Sequence, residues 1–206
     1  MNKKIFTVLL VLALTMSCFS AFALDAVSSA TVNIISFPDL TEHENSKVLV
    51  ICFSTDDTVK AVALTAAEAL EADVFEVIPE QPYTAADLAY YTNCRADQEQ
   101  NDSSARPAIA VWPESLEQYD VIFIGYPIWH GQAPKILYTL LEGIDVSGKT
   151  IVPFCTSMSS GAGSSASNLE KLTAGAVWLK VKRIDNGSTA EQVQAWALSA
   201  LAEATK

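Results

Sequence analysis

Two periodicities alternate along this chain from Lys47 onward. Lys47–Phe53 is an unbroken apolar run rich in β-branched residues, the pattern of a strand buried on both faces. Thr58–Leu70 spaces apolar residues at Val59, Val62, Ala63, Ala66 and Leu70, a helical stripe. Ala72–Ile78 reads as a second strand, closed by Pro79 and Pro82. Thr84 is placed to cap a helix through Ala85–Tyr91, and Thr92–Pro107 is polar and irregular. Tyr119–Gly125 is the clearest strand; Ala133–Leu141 follows as a helix, Thr150–Cys155 as a buried strand and Asn168–Leu172 as a short helix. Val177–Ile184 supplies the last strand. Ser188 and Glu191 have capping-box spacing at the start of a terminal helix that runs to Ala204.

Five strands alternating with helices predict one α/β domain over residues 47–206. The expected architecture is a doubly wound parallel sheet with right-handed crossovers and helices on both faces. Ligands of such sheets bind beyond the carboxyl ends of the strands, at a topological switch point. That rule selects three loops: Ser54–Lys60, Tyr126–Pro134 and Thr156–Ser165.

The N-terminus follows a different logic. Met1–Lys4 is basic, Ile5–Met16 is apolar, and Ala21-Phe22-Ala23 has the small-x-small pattern of a cleavage site, so residues 1–23 read as a signal peptide. An uncleaved anchor is the bland alternative, but Thr7, Thr15, Ser17 and Ser20 dilute its apolar run. Lipid attachment at Cys18 is a third reading, with Leu14 one place too far for a good lipobox. Each places the domain outside the cytoplasm (periplasmic, cell-surface or secreted), with no membrane span after cleavage. Leu24–Ser46 reads as a tether or an extra edge segment.

Charge narrows the partners. Lys and Arg number 13 against 24 Asp and Glu, a net charge of −11. Lys3 and Lys4 lie in the leader and no acid precedes Asp25, so the exported part is more acidic still. Such a surface repels nucleic-acid phosphates over a screening length of about 8–10 Å, which excludes DNA and RNA. Cys52, Cys94 and Cys155 remain after cleavage, without metal-ligand spacing, and only His43 and His130 could supplement them. No zinc or iron–sulfur centre is expected. Cys52 and Cys155 sit in apolar runs and read as buried thiols.

The loops carry the candidate chemistry. The third is small and hydroxyl-rich, able to bring backbone N–H groups close to a flat or anionic ligand, though alone it would read as a solvated connector. The second places Trp129 and His130 between two prolines after a buried strand. Exposed aromatics there are expected to cover something flat, stacking contributing about 0.5–1.5 kcal/mol beyond burial. His130 is read as a wall of the site and not as a proton donor.

Val48–Ser54, Tyr119–Pro134 and Val152–Gly163 together resemble the flavodoxin-like family, in its branch with a Gly-Tyr-Pro-Ile-Trp segment. The stretch Asp102–Ile109 and the ending Arg183-Ile184-Asp185 extend the resemblance toward the C-terminus. It implies a five-stranded doubly wound sheet of order 2-1-3-4-5, noncovalent FMN and a role in electron transfer. By that mapping Ser54, Thr55, Thr58, Val59 and Lys60 belong to the phosphate loop. Pro127, Ile128, Trp129, His130 and Gly131 line the isoalloxazine ring, with the Gly131 backbone near flavin N5. Thr156, Ser157, Met158, Ser159, Gly161 and Gly163 enclose the pyrimidine edge. No side chain is expected to act as a catalyst, since the chemistry resides in the flavin. Apolar walls and nearby acids predict a low reduction potential. The redox partner is a protein or a small-molecule acceptor.

The first loop departs from the family pattern Ser-x-Thr-Gly-Asn-Thr: Asp57 holds the Gly place and Val59 the final Thr place. At about 6 Å and an effective dielectric near 20, one carboxylate opposes a phosphate charge by roughly 2–3 kcal/mol, about a hundredfold in affinity. A carboxylate that merely caps the helix opposes it less. Two alternatives follow: a domain that has lost FMN and acts as a binding module, and an FMN-dependent NAD(P)H:acceptor (quinone) reductase. Paired acids after the first strand also suit a Mg²⁺-binding receiver domain, but Gly125-Tyr126-Pro127 leaves the third strand without an acceptor carboxylate.

Overall fold

The computed structural model describes residues 47–206, so the expected signal peptide, Cys18 and the 24–46 segment lie outside the described residues. The apolar runs become strands β1 (Val48–Cys52), β2 (Asp73–Glu76), β3 (Val121–Pro127), β4 (Thr150–Thr156), β5 (Val177–Trp178) and β6 (Lys182–Ile184). The helices are α1 (Thr58–Leu70), α2 (Arg95–Asn101), α3 (Lys135–Gly143), α4 (Ser165–Glu170) and α5 (Ala190–Ala204). The sheet runs β2-β1-β3-β4-β5, with β6 also on β4, and every pairing is parallel. This is the expected flavodoxin-like order.

Successive side chains of a strand point to opposite faces, so strands covered on both sides feed two cores. Val50, Cys52, Phe123 and Phe154 pack with Ala63, Ala66 and Ala67 of α1 and with Val193 and Ala197 of α5. Leu49, Ile51, Ile122, Ile124 and Ile151 pack instead with Ile136, Leu137, Leu140 and Leu141 of α3. The small alanine face of α1 lets that helix approach the sheet closely. Burial pushes the Cys52 thiol up to about 12, with Glu76 adding to it and Lys60 opposing it, and the Cys155 thiol up to about 11. Thiolate is the reactive form. Iodoacetamide at pH 8 is therefore expected to label Cys94 in the native protein and to spare Cys52 and Cys155 until urea unfolds it. Native labelling of either buried thiol, read by peptide mass spectrometry, would contradict this burial.

Three expectations are corrected. The last strand is broken: Ile151 pairs with Trp178 but Phe154 with Lys182, so the fifth strand carries one extra residue between these pairs. The cause is Pro153. The carbonyls of Lys149 and Ile151 point to the fifth strand, and so would an N–H at position 153, which proline lacks. The strand bulges where that hydrogen bond is missing.

The second correction concerns Ala85–Tyr91, which forms turns and no helix, while α2 lies inside the stretch read as irregular. Thr84 and Asp87 bond each other locally, Thr84 Oγ1 donating to Asp87 Oδ2 at 2.6 Å. Helix α2 buries Ala96, Asp97 and Gln100, two of them polar, so no apolar stripe announces it. Third, the capping box of α5 is formed by Thr189 and Gln192, one residue later than expected. Thr189 Oγ1 accepts from Gln192 N at 3.3 Å, and Gln192 Oε1 accepts from Thr189 N at 2.9 Å.

Candidate functional site

Strands β3 and β4 end level with each other, and β1 ends two residues before them. Cys52 pairs with Gly125, and Pro127 with Thr156, so the three loops chosen by the switch-point rule emerge side by side. They differ in how firmly they are held.

Loop 2 is a built structure. Trp129 N donates to Gln132 O at 2.9 Å and Gln132 N to Trp129 O at 3.0 Å, closing a two-residue hairpin. Its tip is His130 (φ +50°) and Gly131 (φ +74°), the left-handed pair that a type I′ turn requires. Glycine adopts that conformation freely; histidine does so at some cost.

Helix α2 supplies the compensation. Gln100, buried, donates from Nε2 to Trp129 O at 3.1 Å and Ala133 O at 3.2 Å, and its Oε1 accepts from Lys135 N at 3.1 Å. Asp97 Oδ1 bonds His130 Nε2 at 2.8 Å, while its Oδ2 accepts from Thr92 N at 3.0 Å and Cys94 N at 3.3 Å. Two α2 side chains thus hold both flanks of the turn. Neither was singled out in the sequence, where the Cys94-x-x-Asp97 capping spacing was the available signal.

Burial raises the Asp97 carboxyl, but the Tyr91–Thr92 peptide N–H, His130 and Cys94 outweigh it and hold the group below its ordinary value. A depressed acid contributes stability above its unfolded value of about 3.9 and loses it as pH falls through the folded one. Asp97→Asn is therefore expected to flatten the loss of stability below about pH 4. Urea midpoints collected from roughly pH 5 to pH 2 check it; parallel curves for both proteins would sink the assignment.

Trp129 is not the exposed plate the sequence suggested. It is 3% exposed, with edge-on rings around it: Phe53 at 5.6 Å, Tyr83 at 5.1 Å and Tyr90 at 6.2 Å. The aromatic residues that Ala85–Tyr91 turns toward solvent lie beside His130 instead, Tyr90 at 5.7 Å and Tyr91 at 5.3 Å between centroids. Tyr91 is 88% exposed. Burial, then the nearby acidic groups Cys94, Asp56 and Asp97, pushes the Tyr90 phenol up to about 12. Pro127 ends β3, and Ile128 donates its N–H to Thr156 O at 3.0 Å, tying loop 2 to the head of loop 3.

Loop 3 also approaches loop 2 closely at Gly163. A Cβ built on Gly163 (φ +55°) would lie 2.5 Å from Gly131 O, so only glycine lets the two loops approach. Gly161 faces open space, and Met158 is 93% exposed; Ser159 is exposed as well. Thr156 is buried, and Ser157 Oγ accepts from Ser160 N at 3.0 Å. Arg183 Nη2 donates to Ser157 O at 3.0 Å and Nη1 to Asp185 Oδ1 at 2.7 Å, anchoring this loop to β6.

Loop 1 is the acidic one. Ser54 Oγ is buried and has no hydrogen-bond partner among the described residues. Asp56 Oδ1 accepts from Thr58 N at 3.2 Å, at the first turn of α1. Asp57 adopts φ +62°, ψ −7°, which explains why the family places glycine here, and Ala61 N donates to its carbonyl at 2.8 Å. Thr55 is half-buried, while the Val59 side chain belongs to the α1 core. Lys60 Nζ bonds Glu76 Oε2 at 3.1 Å. The side chains that this loop exposes at the helix terminus thus include two carboxylates.

A flavodoxin family profile matches residues 47–200, three-quarters of the chain, and the protein belongs to that family. A solved candidate flavoprotein from Bacteroides eggerthii is 40% identical, covering 76% of this chain and 98% of its own at a TM-score of 0.70. A second from Bacteroides uniformis is 38% identical, covering 73% and 97% at 0.70. A flavoprotein from Lactobacillus acidophilus, solved in complex with FMN, shares the fold at 21% identity, covering 78% and 99% at a TM-score of 0.58. Among curated proteins, none matches.

Proposed function

We propose that this chain is a flavin-binding electron-transfer protein that works outside the cytoplasm, with FMN, the flavin of the Lactobacillus acidophilus structure, as the reference ligand. The observation that carries the reading is the clasp between loops 2 and 3. A strained His130–Gly131 turn, held by Asp97 and Gln100 and packed against Gly163, stands at the switch point before any ligand arrives. Strain of that kind concentrates at binding sites, where the surrounding structure holds it in place.

A bound flavin supplies the capacity to accept and release electrons. This chain's residues do the rest. Gly131 and Gly163 present backbone at close range, Tyr90, Tyr91 and Met158 offer apolar cover, and the unpaired Ser54 hydroxyl provides one polar anchor. The surrounding acids, Asp56 and Asp57 nearest the first loop, oppose added negative charge. The midpoint of the loaded protein is accordingly expected below that of the free flavin.

The same two aspartates favour a second reading, a flavodoxin-like module without flavin. Fluorescence titration with FMN and with riboflavin at up to high micromolar protein separates the two. Quenching by the protein supports the flavin reading, and a redox titration then tests the midpoint. A chain that quenches neither flavin is the binding module.

A further inference from the structure

We propose that loop 1 closes its own phosphate position, so that the site selects the flavin ring and ribityl chain and gains nothing from a phosphate: riboflavin binds at least as tightly as FMN. This rests on the flavin reading above and narrows it to flavins with an uncharged tail.

The N-terminus of a helix such as α1, 13 residues long, is a natural anion site because its first N–H groups lack intrahelical partners. Here the Thr58 N–H is already taken by Asp56 Oδ1, a carboxylate of the protein in the place of an external anion. Asp57 adds a second carboxylate at the residue before the helix, with no side-chain bond to the cap. The cation of this loop does not offset them, since Lys60 is engaged by Glu76 at the end of β2. A flavin phosphate carries about −1.5 to −2 charges at pH 7 and only accepts hydrogen bonds. Besides the N–H and hydroxyl donors left in the first turn, it would face two carboxylates that also only accept.

A terminal ribityl hydroxyl has the opposite character. It can donate to Asp56 or Asp57 and leave the Asp56–Thr58 bond in place. The unpaired Ser54 Oγ, buried at the head of the same loop, suits a hydroxyl chain equally, since a serine hydroxyl both donates and accepts. Electrostatics thus disfavours the phosphate, while the hydrogen-bond inventory favours the alcohol.

The experiment is a paired titration of the chain with riboflavin and FMN, following flavin fluorescence at about 0.01 M and about 1 M salt, where the screening length falls from ~30 Å to ~3 Å. At low salt riboflavin is expected to bind as tightly as FMN or more tightly. Raising the salt is expected to strengthen FMN binding at least threefold and to leave riboflavin within about twofold, because only the phosphate is repelled. In Asp56→Asn/Asp57→Gly, FMN affinity is expected to rise about tenfold or more over riboflavin. A wild-type chain that binds FMN tenfold more tightly than riboflavin overturns this specificity and leaves the flavin reading intact. A salt-independent ratio overturns it too, without needing the variant. If neither flavin binds, the flavin reading itself fails and takes this inference with it.

Discussion

Gln100→Leu is expected to lower the unfolding free energy by about 2–6 kcal/mol and to weaken flavin binding, although residue 100 is on a helix that the hydrophobic pattern did not reveal. Leucine keeps most of the volume and removes all three hydrogen bonds. Trp129 O retains the N–H of Gln132, but Ala133 O and Lys135 N lose the partners that Gln100 supplied. Each buried group left unpaired costs about 1–3 kcal/mol, which sets the range. Urea unfolding reads the loss as a lower midpoint with an unchanged slope. A loss under about 1 kcal/mol would mean that water replaces Gln100 at the flank of the turn.

Gly163→Ala should be the second severe change, with a stability loss of about 2–4 kcal/mol and at least a tenfold drop in flavin affinity. Two costs add at one position. Alanine would be forced to φ +55°, and its Cβ would lie 2.5 Å from a backbone carbonyl, a group that cannot rotate away as a side-chain end can. Relief requires loop 3 to withdraw from Gly131, which opens the clasp. Gly161→Ala is the control: no atom lies within 4 Å of the new Cβ, and its φ is not in the left-handed region, so a change within about 0.5 kcal/mol is expected. Equal effects at both glycines, measured by unfolding and by flavin titration, would remove the close contact as the explanation.

The sequence exposed the fold wherever burial was apolar. Strands β1, β3 and β4 and helices α1 and α3 announce themselves because each pays its ordering cost with apolar contacts at a regular period. Helix α1 begins and ends where its stripe does, at Thr58 and Leu70. The switch-point rule then chose the three loops without reference to any side chain in them. Period analysis failed at α2 for the complementary reason: its buried face carries Asp97 and Gln100, whose partners include the His130 ring and backbone groups around loop 2, about 30 residues away. The bulge in the fifth strand was equally hidden, since its cause, Pro153, lies on the neighbouring strand.

Trp129 shows the same division at the site. Its position after a buried strand and before Pro134 was readable, and so was the importance of the loop that holds it. Its orientation was not, because Phe53, Tyr83 and Tyr90 come from three other segments and enclose the ring only once the sheet has formed. Asp56 and Asp57 were visible as a departure from the family pattern, but whether they face solvent or occupy the helix terminus depends on torsions. Local chemistry along the chain set the class of fold, the three loops and the acidic phosphate position. The clasp of Gly131 on Gly163 and the grip of α2 on loop 2 arose from contacts between distant segments, which a one-dimensional pattern does not encode, while the Asp56–Thr58 bond is local but depends on backbone torsions.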